Sequence, residues 1–288
     1  MKYYKENISV INLKGEGVED FLQRISTNEI RNFGVKGTKR TIFLNEKGKI
    51  VDFVTILKRN EDFLMITTNG NEDKLKKHFE KFIVMEDISF SIEKVEKQTF
   101  IAESDIEFNV INDFDIIEGN YYCYDEYKFR KIIALIYNEN SVYLKNLYVK
   151  SEELSEDAFR SFAIDNAYVY SVTELNENIN PLECQLKDFI SFEKGCYIGQ
   201  EVIARLDSQG KIPKVMVIIA ADFRISKDDK IFSIISGVET ECGFISSVVS
   251  TNYNFKGLGF IREVDLRKSS NYYINKDNNK IISINKLN

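Results

Sequence analysis

The stretch 192-FEKGCYIGQEVIARL-206 is the most informative part of this 288-residue sequence. It places Cys196 between two glycines, Gly195 and Gly199. Glycine weakens a strand and packs nothing there, but it suits a backbone that bends tightly or closely approaches a ligand. The residues from Gln200 onward have helical character. The stretch therefore predicts an exposed loop that leads into a helix.

Two interpretations of Cys196 stay open from this pattern. Free cysteines are commonly small buried fillers, and Cys196 fits that description in a loop between two elements. The neighbouring charge favours a functional thiol, because Lys194 would stabilise a thiolate. The positive N-terminus of a helix over 200–206 would act in the same direction.

Composition excludes several classes of protein. The formal net charge is −6 and no basic block is present, so stable nucleic-acid binding is not expected. The longest apolar run, 215-VMVIIAA-221, falls far short of the roughly 20 residues that a membrane helix needs. The N-terminal residues lack the apolar core of a signal peptide. We expect a soluble, cytoplasmic protein with no membrane association.

Cysteine and histidine usage narrows the chemistry further. No C-x-x-C pair occurs, so a zinc or multi-cysteine cluster site is not expected. A disulfide framework is not expected either, because the expected compartment is reducing. The four cysteines are Cys123, Cys184, Cys196 and Cys242. The single histidine, His78, lies in the charged helical pattern 73-DKLKKHFEKF-82, and we predict it on the solvated side. A Ser-His-Asp or Cys-His arrangement would need this histidine, so both are disfavoured.

Periodicity predicts an α+β region followed by a barrel. The first part contains helices at 15–26 and 72–83 among strands at 8–13, 39–44, 50–57, 62–68 and 88–95. The second part contains strands at 99–103, 106–111, 131–137 and 141–149 and a helix at 155–165. Beyond the boundary at 211–213, short strands are predicted at 214–221, 230–234, 242–249, 257–262, 271–275 and 280–285, with a short helix at 263–268. We therefore divide the chain into an α+β region, 1–210, and a C-terminal β-barrel, 211–288.

The cysteine loop also matches a family signature. The residues that match the pattern K-G-C-Y-x-G-Q-E are Lys194, Gly195, Cys196, Tyr197, Gly199, Gln200 and Glu201. Together with 13–30, 42–57 and 181-PLECQL-186, they resemble the YgfZ-type folate-binding proteins, relatives of the glycine-cleavage T-protein, an aminomethyltransferase. The resemblance implies a T-protein-like fold with two ferredoxin-like α/β lobes around a central folate pocket, plus a small C-terminal β-barrel. It also implies tetrahydrofolate or a one-carbon derivative as the cofactor.

The resemblance assigns two carboxylates to the folate. Asp52 lies where T-proteins place an aspartate beside the reacting folate nitrogen. Many of them have Asp-Asp there and the match is to the second, although an offset of one residue stays open. Asp165 falls where relatives have a glutamate, and a carboxylate suits the paired donors of a pterin. The structural alternatives are an exposed strand residue for Asp52 and a polar helix end for Asp165.

Further residues are assigned around the loop and the folate tail. Glu183 precedes the cysteine loop and would brace that loop or the ligand, or else be a surface acid. Arg205, Lys211 and Lys214 form a basic group that could meet the glutamate tail, or else a solvated face. We expect Gln200 and Glu201 to hold the loop by capping backbone groups.

Three functions follow as hypotheses. The first is a tetrahydrofolate-binding factor that supports iron–sulfur protein assembly or repair through Cys196, with assembly proteins or client enzymes as partners. The second is a folate-dependent aminomethyltransferase or related one-carbon transferase, which the retained Asp52 favours and the loop 194-KGCYIGQE-201 disfavours. If the protein is catalytic, Cys196 and Asp52 are the predicted catalytic residues. The third is a non-catalytic module that senses folate or docks a partner through the barrel.

Overall fold

A single long strand organises the first half of the chain. In this computed structural model the described residues are 1–31, 33–60, 62–102, 113–251, 254–269, 271–275 and 277–286. The first elements are β1 (Lys2–Lys14), α1 (Val18–Ile25), β2 (Thr38–Leu44), β3 (Ile50–Lys58), β4 (Asp62–Ile66), α2 (Glu72–Phe82) and β5 (Ser89–Ile101). β1 pairs with β5 along its full length and with β4 on its other edge.

The next elements extend the same sheet. They are β6 (Phe114–Ile117), β7 (Asn120–Asp125), β8 (Lys131–Ile136), α3 (Val142–Val149), β9 (Glu152–Glu153), α4 (Glu156–Asp165), two 3₁₀ turns (Pro181–Cys184 and Lys187–Phe189) and α5 (Gln200–Gln209). Within the described residues the sheet has nine strands, in the order β2-β3-β4-β1-β5-β8-β7-β6, and β9 pairs in parallel with β1. Strands of both predicted lobes share this one sheet, so the two-lobe arrangement stays a prediction.

The two faces of the sheet bury different sets of side chains. Successive residues of a strand point to opposite faces. In β1, Ile11 and Leu13 pack in one cluster with α1 and α2, whereas Ile8 and Val10 pack in another cluster on the opposite face. The predicted apolar stripe of α1 is confirmed, since Val18, Phe21, Leu22 and Ile25 are all buried. The spacing of these residues fits one face of a helix.

The predicted strand at 141–149 is wrong, because Val142–Val149 form helix α3. Ser141 is the N-cap, and its side chain accepts a hydrogen bond from the backbone N–H of Leu144 at 3.1 Å. Leu144 and Leu147, three residues apart, are the buried positions of this helix. The β-branched and aromatic residues of this segment favour a strand. The Ser141 cap and the three-residue spacing of the two leucines favour a helix instead, and the helix forms.

Other strand predictions are revised in extent. The strands expected at 88–95 and 99–103 form one strand, β5, because the 13-residue β1 pairs with it throughout. The predicted strand at 106–111 lies outside the described residues. β6 and β7 were not predicted, although Glu118 and Gly119 connect them with positive φ angles of 51° and 90°. Such angles are typical of a two-residue hairpin turn.

The histidine prediction is also wrong. His78 is buried in α2, not solvated, and its ring packs 4.9 Å from Phe82 and 6.0 Å from Phe43, measured between ring centroids. Its Nε2 atom has no hydrogen-bond partner among the described residues. Burial lowers the pKa of His78 to about 4. His78 is therefore a core residue.

The C-terminal barrel is confirmed. Its elements are β10 (Lys214–Ala221), β11 (Lys230–Ile235), β12 (Val238–Ser250), β13 (Phe255–Arg262), α6 (Glu263–Leu266), β14 (Tyr272–Ile274) and β15 (Asp277–Lys286). The strands close in the order β10-β13-β12-β11-β14-β15, and β15 pairs back onto β10. Closure removes the free sheet edges. No helix among the described ranges is long and apolar enough to cross a membrane.

Candidate functional site

The cysteine loop is held at three points. Lys194 is buried, and its Nζ donates to the carbonyl oxygens of Ser26 at 2.8 Å and Asn28 at 2.7 Å. Tyr197 is buried in the cluster that α5 and the barrel share. The loop is thus fixed to the turn after α1 on one side and to the core on the other.

The third point is a close backbone approach at the start of α5. Gly199 has a φ of +80°, and a Cβ there would lie 2.7 Å from the carbonyl oxygen of Asn45 and 3.2 Å from the Cα of Gly48. Gly48, in the β2–β3 turn, has a φ of +66°, and its own Cβ would lie 2.9 Å from Val202. The two glycines therefore let α5 pack directly on the hairpin turn, which requires no ligand.

Between these anchors the loop presents its cysteine to solvent. Cys196 is exposed, whereas the other three cysteines are buried. Gly195 does not have a positive φ, and no described atom lies within 4 Å of the position that a Cβ would occupy there. The surrounding packing therefore does not require glycine at this position. The exposed thiol supports the functional interpretation of Cys196 over the buried filler.

The contacts of Lys194 show a structural role in the loop. Its Nζ is directed at two backbone carbonyls, with the Tyr197 ring 5.5 Å away. Burial lowers the pKa of Lys194 to about 8. Lys194 therefore anchors the loop through these two hydrogen bonds, and its effect on the Cys196 thiolate stays a prediction. Gln200 also holds the loop, since its Oε1 accepts the Tyr197 N–H at 3.3 Å, whereas Glu201 is exposed.

Asp52 is buried and does not face a cavity. Its Oδ1 accepts the N–H of Phe53 at 2.8 Å and the side-chain N–H of Asn71 at 3.1 Å, and its Oδ2 accepts the N–H of Thr68 at 3.2 Å. Asn71 is the N-cap of α2. The exposed-strand alternative is thus wrong, and the carboxylate joins β3 to the start of α2. Burial raises its pKa to about 6, against the opposing effect of these hydrogen bonds.

The next residue in the sequence, Phe53, lines a cavity. Phe53, Thr55 and Thr68 line a central cavity of about 30 Å³, together with Arg40 and Lys97. Asp52 is absent from this lining. A one-residue offset of the family match would fall on Val51 or Phe53, neither of which has a carboxylate. A volume of about 30 Å³ holds a water molecule and no bicyclic ring.

A side chain of the protein itself occupies the space next to the central cavity. The Arg40 guanidinium lies 4.4 Å from the ring centroid of Phe53, 4.6 Å from that of Tyr127 and 5.3 Å from that of Phe189. It forms an ion pair with buried Asp125 at 3.1 Å. This aromatic cage is therefore filled by an arginine from β2.

Glu183 is buried, so the surface-acid alternative is wrong. Its Oε2 accepts the N–H of Asn180 at 2.9 Å in a capping box at the start of the first 3₁₀ turn. Lys49 lies 3.8 Å from the carboxylate and Lys214 lies 3.9 Å from it. Glu183 thus braces the hairpin and the first barrel strand. Burial raises its pKa, with the two lysines opposing the shift.

The remaining predicted residues are dispersed. Asp165 ends α4 with its side chain 57% exposed, and it forms an ion pair with Lys256 of the barrel. Arg205 and Lys211 are exposed, whereas Lys214 is partly buried beside Glu183. Among the described residues, Asp52, Asp165 and Cys196 are absent from the linings of both the central cavity and the seam cavity described next.

A larger cavity lies at the seam between α4 and the barrel. This seam cavity has a volume of about 340 Å³, within the usual range for small-molecule sites. Its walls include Ile164, Tyr168, Tyr170, Val248 and Leu258, and Glu174 and Ser246 provide polar groups. Tyr168 and Tyr170 line both cavities.

Sequence reasoning missed the polar groups of the seam cavity. Glu174 lies in 171-SVTELNENIN-180, where no periodicity or motif distinguishes it from a surface acid. In the folded chain Glu174 is buried, and Ser246 of β12 donates a hydrogen bond to its carboxylate. The described residues contain no group of three or more histidine, cysteine or acidic side chains arranged to hold a metal ion.

The fold is that of the glycine-cleavage T-protein. Residues 6–102 match the GCVT N-terminal domain. A crystal structure of glycine cleavage system aminomethyltransferase T from Bartonella henselae superposes with a TM-score of 0.77 at 12% identity. The superposition covers 99% of this chain and 86% of that chain. At this identity the match describes the fold alone.

Sequence relatives carry the same name as this structural neighbour. An aminomethyltransferase of Thermoanaerobacter sp. (strain X514) is 23% identical over 234 residues, which is 72% of this chain and 63% of that protein. An aminomethyltransferase of Chlorobium chlorochromatii (strain CaD3) is 23% identical over 216 residues, 66% of this chain and 59% of that protein. The chain thus spans about 60% of the length of these relatives. The matches support a T-protein-like protein.

Proposed function

We propose that this protein binds tetrahydrofolate or a one-carbon derivative and supports the assembly or repair of iron–sulfur proteins through Cys196. The observation that carries the proposal is the pairing of a T-protein-like fold with a rigidly anchored loop that exposes a single thiol. The resemblance of this loop to the YgfZ-type signature supports the iron–sulfur part. The aminomethyltransferase relatives support the folate part.

The seam cavity is the better place for the folate ring. Its volume of about 340 Å³ admits a bicyclic ring, whereas the central cavity of about 30 Å³ does not. The apolar and aromatic walls suit a flat heterocycle. The charged glutamate tail would extend toward solvent, where Arg160 and Lys227 line the same cavity.

Cys196 would act together with a partner. Iron–sulfur clusters are usually held by four cysteine thiolates, and Cys196 supplies one. Cys123, Cys184 and Cys242 are buried, and burial raises the pKa of each thiol. An iron–sulfur assembly protein or a client enzyme would supply the other ligands.

Folate binding and the thiol can be tested separately. Added tetrahydrofolate should raise the melting temperature of the protein under anaerobic conditions, because a ligand at about 100 times its Kd stabilises by about 2.7 kcal/mol. In cells that lack the protein, the wild-type chain should restore iron–sulfur enzyme activity, and Cys196→Ser should not. Glu193→Gln, a change at an exposed position of the same loop, is the matched control and should restore it. Full restoration by Cys196→Ser would refute the role of the thiol.

A folate-dependent aminomethyltransferase is the second candidate. The names of the sequence relatives favour it. The contacts of Asp52 disfavour it, because both carboxylate oxygens accept hydrogen bonds from the protein and Asp52 lines neither the seam cavity nor the central cavity. Production of methylenetetrahydrofolate from an aminomethylated carrier protein, lost in Asp52→Asn, would establish the transferase. The third hypothesis, a non-catalytic module, requires that Cys196→Ser retains all function.

A further inference from the structure

The aromatic cage around Arg40 has the composition of a site for an organic cation. Its three rings, Phe53, Tyr127 and Phe189, have centroids between 4.8 and 6.0 Å apart. Asp125, with a side chain only 8% exposed, provides a carboxylate beside the rings. Aromatic faces attract guanidinium and alkylammonium groups, and a carboxylate binds them through charge-assisted hydrogen bonds. In this structure the guanidinium of Arg40 fills the cage.

Arg40 satisfies the aromatic cage only in part. Its Nη1 donates to Asp125 Oδ2 at 3.1 Å, whereas its Nε is buried without a hydrogen-bond partner among the described residues. A buried donor that is left unpaired costs about 1–3 kcal/mol. Arg40 also lines the central cavity, so unfilled space adjoins it, and its side chain is 15% exposed. The arginine is therefore an imperfect occupant with a route toward solvent.

Asp125 would keep a partner if Arg40 left the cage. The Nζ of Lys131, a fully buried side chain, lies 3.2 Å from Asp125 Oδ2, and the N–H of Tyr127 donates to Oδ1 at 2.8 Å. Burial lowers the pKa of Lys131 to about 7; Asp125 opposes this shift and Arg40 adds to it. Departure of Arg40 would therefore favour the charged form of Lys131. The Asp125 carboxylate would then stay paired while the cage is open.

The other charged groups at the central cavity are already engaged. Lys97 lines the cavity and forms an ion pair with Glu6 at 2.6 Å, with side chains 13% and 11% exposed. Asp52 accepts three hydrogen bonds from the protein and is absent from the lining. Asp125 is therefore the carboxylate that a cation in the cage would meet.

We propose that the aromatic cage is a binding site for a small molecule with a guanidinium or alkylammonium group, and that Arg40 is its internal occupant, released when the ligand binds. The ligand would take over the ring contacts and the bond to Asp125, and Arg40 would turn toward solvent. A small molecule suits the site because Phe53 and the Asp125 carboxylate are buried. The cage residues do not line the seam cavity, so this inference goes beyond the proposed function and does not depend on it.

The first test is rescue of Arg40→Ala, which empties the aromatic cage. Methylguanidinium chloride at low millimolar concentration should raise the melting temperature of this variant above its value in equal sodium chloride. The variant should bind methylguanidinium at least about tenfold more tightly than the wild type, in which Arg40 competes for the cage. Methylurea, which has a similar shape and no charge, should have no effect. Arg24→Ala removes an exposed arginine that pairs with Glu86, and as the matched control it should not be rescued.

NMR of the wild type tests the release of Arg40 without a variant, and it decides the matter if Arg40→Ala does not fold. The δ-protons of Arg40 adjoin a guanidinium that lies against three rings, so ring currents shift their resonances. Methylguanidinium, but not methylurea, should move these resonances toward ordinary arginine values in a saturable way. If they do not move, Arg40 is a permanent occupant and the proposed site is overturned. Rescue of Arg40→Ala that is no greater than that of Arg24→Ala, or equal rescue by methylurea, would overturn it as well.

Discussion

At the scale of single residues, the direction of a side chain decides which assignments hold. Asp52 and Phe53 are neighbours in the sequence, but only Phe53 lines the central cavity. Glu174 has no distinguishing sequence pattern, yet it is one of the most enclosed acids in the described chain. A sequence gives residue types and spacing, whereas the face that a strand residue occupies depends on register and on what packs above it.

The burial of Asp52 predicts an unusual pH dependence. Its carboxyl has a pKa of about 6 in the folded protein and 3.8 as the ordinary value, so the folded state binds the proton more tightly. Ionisation of Asp52 therefore lowers the free energy of unfolding as the pH rises from about 4 to 6, by about 3 kcal/mol in total. Urea unfolding of Asp52→Asn should lack this component. If the free energy of unfolding of the wild type and of Asp52→Asn had the same pH dependence, the burial of the Asp52 carboxylate would be contradicted.

His78 predicts the opposite slope. Burial lowers its pKa from 6.5 to about 4, so the unfolded chain binds the proton more tightly. Neutral His78 therefore makes its full contribution to the free energy of unfolding above about pH 6.5. This contribution is lost as the pH falls toward about 4, and the loss is about 3 kcal/mol. His78→Phe keeps an aromatic ring between Phe43 and Phe82, and it should remove this acid sensitivity. Equal losses between about pH 7 and about pH 4 in both proteins, measured by urea unfolding, would count against a buried neutral histidine.

At the scale of elements, most of the fold could be predicted and the exceptions have physical causes. The periodic helices α1, α2 and α4, the β2–β3 hairpin and the barrel strands carry strong local signals. α3 was misassigned because its β-branched and aromatic residues outweighed the Ser141 cap. The helix that follows the cysteine loop, α5, was predicted. The contacts of Lys194 with Ser26 and Asn28 could not be predicted from local sequence, because they join segments more than 160 residues apart.

The two glycines of the cysteine loop should respond differently to alanine. Gly199→Ala introduces a Cβ 2.7 Å from the Asn45 carbonyl oxygen at a φ of +80°. We expect a loss of about 2 kcal/mol or more in the free energy of unfolding. Gly195→Ala, at an open position of the same loop, is the matched control and should change stability by less than about 0.5 kcal/mol. Equal losses in thermal or urea unfolding would mean that the loop does not pack on the hairpin turn as described.

At the scale of the whole molecule, the proposed function depends on the seam between the sheet region and the barrel. Contacts that connect the two sides include Glu183 with Lys214, Asp165 with Lys256, and Glu174 with Ser246. These contacts join residues from distant parts of the chain, so no local pattern could predict the cavity between them. The family resemblance predicts a folate pocket, and the seam cavity, at about 340 Å³, is large enough for the proposed ligand ring.

The measurement that bears most directly on the folate proposal is an anaerobic calorimetric titration of tetrahydrofolate into the wild-type protein. We predict one site with a Kd in the micromolar range, equivalent to about −8 kcal/mol. Leu258→Trp, which fills the seam cavity, should abolish this binding, and Phe192→Tyr at an exposed position should preserve it. Absence of heat with any reduced folate would contradict the proposal and leave the T-protein-like fold without its ligand.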